Sequence, residues 1–206
     1  MKVIGIGHRS GTGKSTFAAM MQAALEPFGA VRPIGSEIKA VAHAQFHAEG
    51  LQPEVYYEEH RAARLEMLPG LTLTPTQLWC KVAELARAIE PQYWIRLVYN
   101  RALAERLPYV IIPDVRTLTE FLFIRDYAGL LIRMDRPQAA PVPGAQFDDE
   151  LGAVAALDWD CLVLNSFDDL EQLEHVALDI CLDVALGRRR AARANEIARR
   201  SATPEE

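Results

Sequence analysis

The sequence predicts an α/β fold in which a five-stranded, mostly parallel sheet is covered on both faces by helices. Short runs of β-branched residues alternate with longer segments of helical periodicity, a pattern typical of parallel sheets. The first apolar run is followed by a glycine-rich turn and then a helical segment at 16–25. The predicted strands are 2–7, 31–35, 109–113, 130–134 and 160–164.

The glycine-rich turn is the most specific feature of the chain. It contains Gly11, Thr12 and Gly13, and it ends in Lys14, Ser15 and Thr16. Such a turn between a strand and a helix points successive backbone N–H groups at a phosphate, while the lysine reaches the outer phosphates and the serine hydroxyl can bind Mg²⁺. The motif therefore predicts binding of ATP or GTP. No Asn-Lys-x-Asp guanine motif is present, which disfavours a GTPase.

One residue departs from the usual phosphate-loop pattern. The glycine expected six residues before the lysine is replaced by His8, and the nearest glycine is Gly7. Either His8 accepts the turn conformation or the loop leaves its strand differently. Gly11 and Gly13, which approach the phosphates most closely, are both present.

A mostly helical insertion is predicted between the second and third strands, at 36–107. Thr74, Pro75 and Gln77 form a capping box with proline at the first helical position, which predicts a helix from 75 to about 89. Pro91 should end it, and a further helix is expected at 92–106. Extra helices of this kind commonly carry a substrate.

The remaining organisation follows from composition. One domain is expected at 1–186, with a lid loop at 137–147 and a basic tail at 187–206.

A formal net charge of −6 disfavours nucleic acid as a partner. The three cysteines are widely spaced and are expected to be buried thiols. No secretory signal or apolar run of about 18 residues is present, so a cytoplasmic protein without a membrane partner is expected. A homodimer remains an open alternative.

A second candidate motif ends the strand at 109–113. Asp114 and Arg116 would lie at the carboxyl edge of the sheet, where open α/β folds bind ligands. Asp114 could hold a Mg²⁺-bound water or orient an attacking group, and Arg116 could neutralise a transferred phosphate. The alternative makes Asp114 a helix cap and Arg116 its surface partner.

Several segments in a fixed order carry a family resemblance. They are the phosphate loop, Ser36-Glu37-Ile38-Lys39, Thr74-Pro75-Thr76-Gln77-Leu78-Trp79, 87–94, Asp114-Val115-Arg116, 131–137 and 160–165. Over residues 1–180 the chain thereby resembles the bacteriophage deoxynucleoside monophosphate kinases. The resemblance implies phosphate transfer from Mg·ATP to a deoxynucleoside 5′-monophosphate, with these two nucleotides as small-molecule partners.

The resemblance also implies roles for individual residues. Lys14, Ser15 and Thr16 would serve the donor triphosphate and Mg²⁺. Asp114 and Arg116 would act at the reacting phosphates, with Asp114 as a second metal ligand beside Ser15, and Arg133 or Arg136 would close over the phosphates. Lys39 and Arg87 would hold the acceptor phosphate, and Trp94 would form the wall near its base or sugar.

The chain departs from the family pattern at the acceptor side. Thr76 stands where the family often has arginine, and Arg61 or Arg64 on the preceding segment could replace that cation. Two other readings stay open. One is a P-loop kinase of another small acceptor, such as dephospho-coenzyme A or a sugar acid. The other is a nucleotide-binding regulator without turnover.

Overall fold

The computed structural model describes residues 1–137, 150–166 and 170–188. Two compact units are present, Met1–Arg32 with Ala102–Glu206, and Pro33–Arg101. The second unit corresponds closely to the predicted helical insertion, while the expectation of one domain at 1–186 stays a prediction. Most of the predicted lid loop (138–147) and of the basic tail (189–206) lies outside the described residues.

The described residues of the first unit form a sheet of five parallel strands, which confirms the predicted fold class. The strands are β1 (Lys2–Gly7), β2 (Gly29–Val31), β3 (Tyr109–Val115), β4 (Leu130–Asp135) and β5 (Cys161–Leu164). Their order across the sheet is β2-β3-β1-β4-β5. Each hydrogen-bonded neighbour pair is parallel, and Gly7 of β1 pairs in register with Val115 of β3 and Arg133 of β4.

Helices cover both faces of this sheet. On one face, α1 (Lys14–Leu25) and α7 (Leu170–Ala185) enclose a core with Ile4 and Ile6 of β1. On the other face lies α6 (Leu118–Asp126), and a Cβ on Gly5 would come within 2.5 Å of Ile124 Cδ1. Neighbouring residues of a strand face opposite sides of the sheet, so Ile4 and Ile6 face α1 whereas Gly5 faces α6. The helices α1 and α6, which follow the adjacent strands β1 and β3, therefore lie on opposite faces. The carboxyl ends of β1 and β3 therefore flank the crevice where open α/β sheets bind ligands.

The second strand differs from its prediction. β2 is Gly29–Val31 rather than 31–35, and Ile34 is already the first residue of a helix. Val31 and Ile34 together mimic the apolar pattern of a strand, but Pro33 has no N–H for a sheet ladder and stands at the helix N-cap instead. Ile34 is buried as a helical residue.

The second unit is built from short helices around its own core. They are α2 (Ile34–Phe46), α3 (Glu54–Glu59), α4 (Pro75–Ile89) and the first part of α5 (Tyr93–Ala104), with 3₁₀ turns at His47–Glu49 and Arg61–Leu65. The predicted capping box of α4 is confirmed: Gln77 N–H donates to Thr74 Oγ1 and Thr74 N–H donates to Gln77 Oε1. A second capping box, Thr117 with Glu120, begins α6.

None of the three cysteines forms a disulfide. Cys161 and Cys181 are buried as expected, whereas Cys80 is only partly buried. Burial raises the pKa of the Cys181 thiol to about 11, and its S–H lies 3.7 Å from the carbonyl of Met21. Within the described residues, no helix has the length and apolar character needed to cross a bilayer.

Candidate nucleotide-binding site

The turn between β1 and α1 has the conformation that a phosphate loop requires. Gly11 and Gly13 have φ of 77° and 91°, in the left-handed region that glycine adopts without steric cost. Gly13 is the N-cap of α1, and the first turn of this helix contains no acidic residue. The N-terminal N–H groups of α1 therefore keep their partial positive charge for an anion.

Lys14 is held inside this loop. It is 7% exposed, and its ammonium group donates to the carbonyl of His8 at 3.1 Å and to the carbonyl of Arg9. Ser15 and Thr16, on the same first turn of α1, are exposed. The predicted donor residues are therefore brought together at the helix N-terminus.

His8 adopts the conformation of the glycine that it replaces. Its φ is 86°, and the residue is only 3% exposed. The imidazole Nδ1 lies 2.5 Å from Oδ1 of Asp135, the last residue of β4. Of the two readings left open by the sequence, the structure supports the first: His8 accepts the turn.

Two further hydrogen bonds connect the loop to the rest of the sheet. Arg116 Nη1 donates to Ser10 Oγ at 3.0 Å, so the arginine that follows β3 reaches the phosphate loop. Asn165 directly follows β5 and is 3% exposed, and its Nδ2 donates to the carbonyl of Thr12 at 2.9 Å. Asn165 in this role was missed, because sequence alone does not show that the end of β5 lies beside the loop.

Asp135 connects the loop to a predicted catalytic arginine. Its Oδ2 accepts a 2.8 Å hydrogen bond from Arg133 Nε. Burial raises the pKa of Asp135, but the close contact of His8 and the hydrogen bond from Arg133 outweigh burial and hold the pKa below its usual range. The carboxylate is therefore ionised at neutral pH. Arg136 is partly buried just beyond β4.

The position of Arg116 is fixed by the start of α6. The buried Glu120 carboxylate accepts from the backbone N–H groups of Arg116 at 2.9 Å and Thr117 at 3.1 Å. Asp114, the penultimate residue of β3, is half-buried at the same edge of the sheet. Asp114 is thus not the cap of α6, because Thr117 occupies that position.

The predicted acceptor cations lie in the second unit, where two of them share one carboxylate. Glu58 is 2.7 Å from both Lys39 Nζ and Arg64 Nη2, and Lys39 also lies 3.2 Å from Glu54. Hydrogen bonds from Lys39, together with the charges of Lys39 and Arg64, lower the pKa of Glu58 although burial opposes this. Lys39 and Arg64 are therefore close together, as a shared anion site would need.

The other predicted acceptor residues are placed differently. Arg61 is exposed and Arg87 is half-buried on α4. Trp94 is 1% exposed, and its indole N–H donates to the carbonyl of Ala83 at 3.1 Å. The expectation of a substrate wall at Trp94 is therefore replaced by a core position, because a ring enclosed on all sides presents no surface to a ligand.

An aromatic group beside Lys39 was not singled out from the sequence. Lys39 Nζ lies 5.3 Å from the ring centroid of Trp79, which packs edge-on against Tyr57 and 6.1 Å from the His43 ring. Trp79 Nε1 and His43 Nε2 are buried without hydrogen-bond partners. Burial lowers the pKa of His43. The negative charge of Glu54 opposes this shift, and the positive charge of Lys39 adds to it. These residues are distant in sequence, and no local motif connects them.

Comparisons with known proteins give no family assignment. No family model matches the chain, and no curated protein matches it in sequence. Among solved structures, it is similar to an unliganded sugar kinase from Janibacter sp. HTCC2649, with a TM-score of 0.43 and 17% sequence identity. The match covers 91% of this chain and 97% of that one. The function is therefore argued from the residues of the site.

Proposed function

We propose that the chain is a P-loop phosphotransferase that transfers phosphate from Mg·ATP to a deoxynucleoside 5′-monophosphate. The observation that carries this proposal is the convergence of Lys14, the N-terminus of α1 and Arg116 on one loop at the carboxyl edge of the sheet. Arrangements of this kind bind a triphosphate, because backbone N–H groups and cations surround its charged oxygens.

The residues of the first unit suit an electrostatic mechanism. Lys14 would exchange its carbonyl partners for phosphate oxygens, and Arg116 lies near enough to the loop to neutralise charge on the transferred group. Ser15 and Asp114 offer the hard oxygen ligands that Mg²⁺ prefers, with phosphate oxygens and water completing its coordination. Bound Mg²⁺ would neutralise phosphate charge.

Lys39 and Arg64 are the proposed binding groups for the acceptor phosphate. Both cations lie within 2.7 Å of the same Glu58 carboxylate, so a second anion could be held by the same pair. A phosphate acceptor is already a nucleophile at neutral pH and needs no strong base. Positioning and charge neutralisation would then supply most of the catalysis.

A second candidate is a kinase whose acceptor is a hydroxyl group, such as a sugar acid. A hydroxyl nucleophile needs a base, and the half-buried Asp114 is the carboxylate at the edge of β3 that could accept its proton. A third candidate, a nucleotide-binding regulator, would bind ATP without acceptor-dependent turnover.

The proposal is tested by ADP release with ATP and a panel of nucleoside monophosphates, sugar acids and dephospho-coenzyme A. Lys14→Ala should lower turnover on the order of 10²-fold or more with an unchanged circular dichroism spectrum. Lys39→Ala should raise the acceptor KM about tenfold and leave the ATP KM unchanged. Lys81, an exposed lysine on α4, provides the matched control Lys81→Ala.

Three outcomes are decisive. ADP release that requires a deoxynucleoside monophosphate supports the proposal, and release that requires only a hydroxyl acceptor selects the second candidate. Tight ATP binding without acceptor-dependent ADP release selects the regulator.

A further inference from the structure

His8 combines backbone strain with burial in a way that no other residue of the described structure does. Three non-glycine residues there have positive φ: His8, Arg106 and Ala128. Arg106 and Ala128 are exposed, whereas His8 is 3% exposed and lies within the phosphate loop. A strained conformation persists only where surrounding contacts hold it, and such residues concentrate at functional sites.

The contacts of His8 join Lys14, which the proposed function uses, to a carboxylate at the end of β4. Its carbonyl accepts the Lys14 hydrogen bond at 3.1 Å, and its imidazole Nδ1 lies 2.5 Å from Asp135. The other oxygen of Asp135 accepts from Arg133 at 2.8 Å. A single ionised carboxylate on β4 is thus connected to the loop lysine through His8 and directly to Arg133.

We propose that His8 and Asp135 form a positioning pair that fixes the first turn of the phosphate loop for the triphosphate of a bound nucleotide. The proposal rests on the proposed function insofar as the loop binds a nucleoside triphosphate. His8 acts through its carbonyl and the loop backbone rather than by touching substrate. Without the imidazole contact, the backbone at residue 8 is less constrained. The carbonyl of this residue, which accepts the hydrogen bond from Lys14, then no longer has a fixed position.

A purely structural role and a positioning role predict different results at this site. His8→Gly removes the imidazole but suits the backbone, because glycine adopts positive φ without strain. A residue that served only to fill space would lower the melting temperature when removed. A positioning residue should instead lower nucleotide affinity while the melting temperature stays the same or rises.

The variants are His8→Gly, His8→Asn, Asp135→Asn and the double variant His8→Gly/Asp135→Asn. Asparagine tolerates positive φ and can donate its side-chain amide to Asp135, so it is the conservative replacement. Arg106→Gly is the matched control, because Arg106 has φ of 57° but precedes β3 at the opposite end of the strand from the loop. Calorimetry measures the Kd of Mg·ATP, and differential scanning calorimetry measures the melting temperature.

We expect His8→Gly to raise the Kd of Mg·ATP about tenfold, the size expected when one close contact with a charged group is lost. His8→Asn should stay within about threefold of the original chain, and Arg106→Gly should leave the Kd unchanged. In the Asp135→Asn background, His8→Gly should have no further effect, because the two residues act as one unit.

Wild-type affinity in His8→Gly, or additive effects in the double variant, would overturn the proposal. The Kd is measured without acceptor, so these results are independent of whether a deoxynucleoside monophosphate is phosphorylated. A chain that binds ATP but transfers no phosphate would refute the proposed function and leave the comparison of Kd values decisive for the pair. A chain that binds no ATP would refute both.

Discussion

Two capping boxes lie in the described part of the chain, one with a buried glutamate and one with an exposed glutamine, and comparing them tests what holds Arg116 in place. In α6, the Glu120 carboxylate is 2% exposed and accepts from the N–H groups of Arg116 and Thr117. In α4, the exposed Gln77 accepts from the N–H of Thr74. The paired changes are Glu120→Ala and Gln77→Ala.

The magnitudes follow from these contacts. Glu120→Ala leaves two backbone N–H groups without partners, at about 1–3 kcal/mol each, or about 2–6 kcal/mol together. Removing a buried carboxylate also removes the free-energy cost of its desolvation. We therefore expect a loss of stability in the lower half of this range, about 2–4 kcal/mol. Water replaces the lost partner in the exposed box, so Gln77→Ala should cost only about 0.5–1 kcal/mol.

Urea unfolding followed by far-ultraviolet circular dichroism measures both losses. If the two units unfold in separate transitions, each variant is compared with the transition of the unit that carries it. Glu120→Ala should also lower turnover, because the backbone of Arg116 is no longer fixed, whereas Gln77→Ala should not. Equal losses of stability in the two variants would refute the reasoning from burial.

Two further predictions concern titratable groups. The pKa of Asp135 lies below its usual range in the folded state, so its contribution to stability is present above its unfolded pKa of about 3.9 and is lost as the pH falls through the folded pKa. Urea unfolding between about pH 6 and pH 3 should therefore show a shallower acid loss in Asp135→Asn, and identical pH profiles would contradict this. The Cys181 thiol has a pKa of about 11 and is buried, so a thiol reagent at neutral pH should modify the half-buried Cys80 first and Cys181 only after unfolding. Peptide mass spectrometry would show the order, and early labelling of Cys181 would contradict it.

The parts of the fold that were predicted correctly depend on local signals. β1 and the start of α4 have the predicted bounds, and the capping box of α4 occurs at the predicted residues. A cap is a contact between residues three positions apart, so its residue types are visible in sequence. β2 was predicted too late in the sequence because its signal is weak. An edge strand of three residues shows little hydrophobic alternation, and the apolar residues that follow it dominated the prediction.

The parts of the site that were missed depend on which strands are neighbours. Asp135 and Asn165 end β4 and follow β5, and only the sheet order brings them to the loop after β1. The wall position expected for Trp94 came from the family resemblance alone, whereas its helical spacing from Leu97 and Val98 favours the core position that the structure shows. Residue types alone therefore indicated the candidate phosphate-binding groups but not the residues that support them.

The supports of the loop come from segments that are distant from it in sequence. Arg116 and Asn165 reach Ser10 and Thr12 across 106 and 153 positions of sequence, from segments that follow β3 and β5. The shape of the loop therefore depends on groups that only the folded sheet brings together. A change that disturbs β3, β4 or β5 near its carboxyl end should then weaken nucleotide binding even where it touches no phosphate, because the loop takes its shape from its neighbours in the sheet.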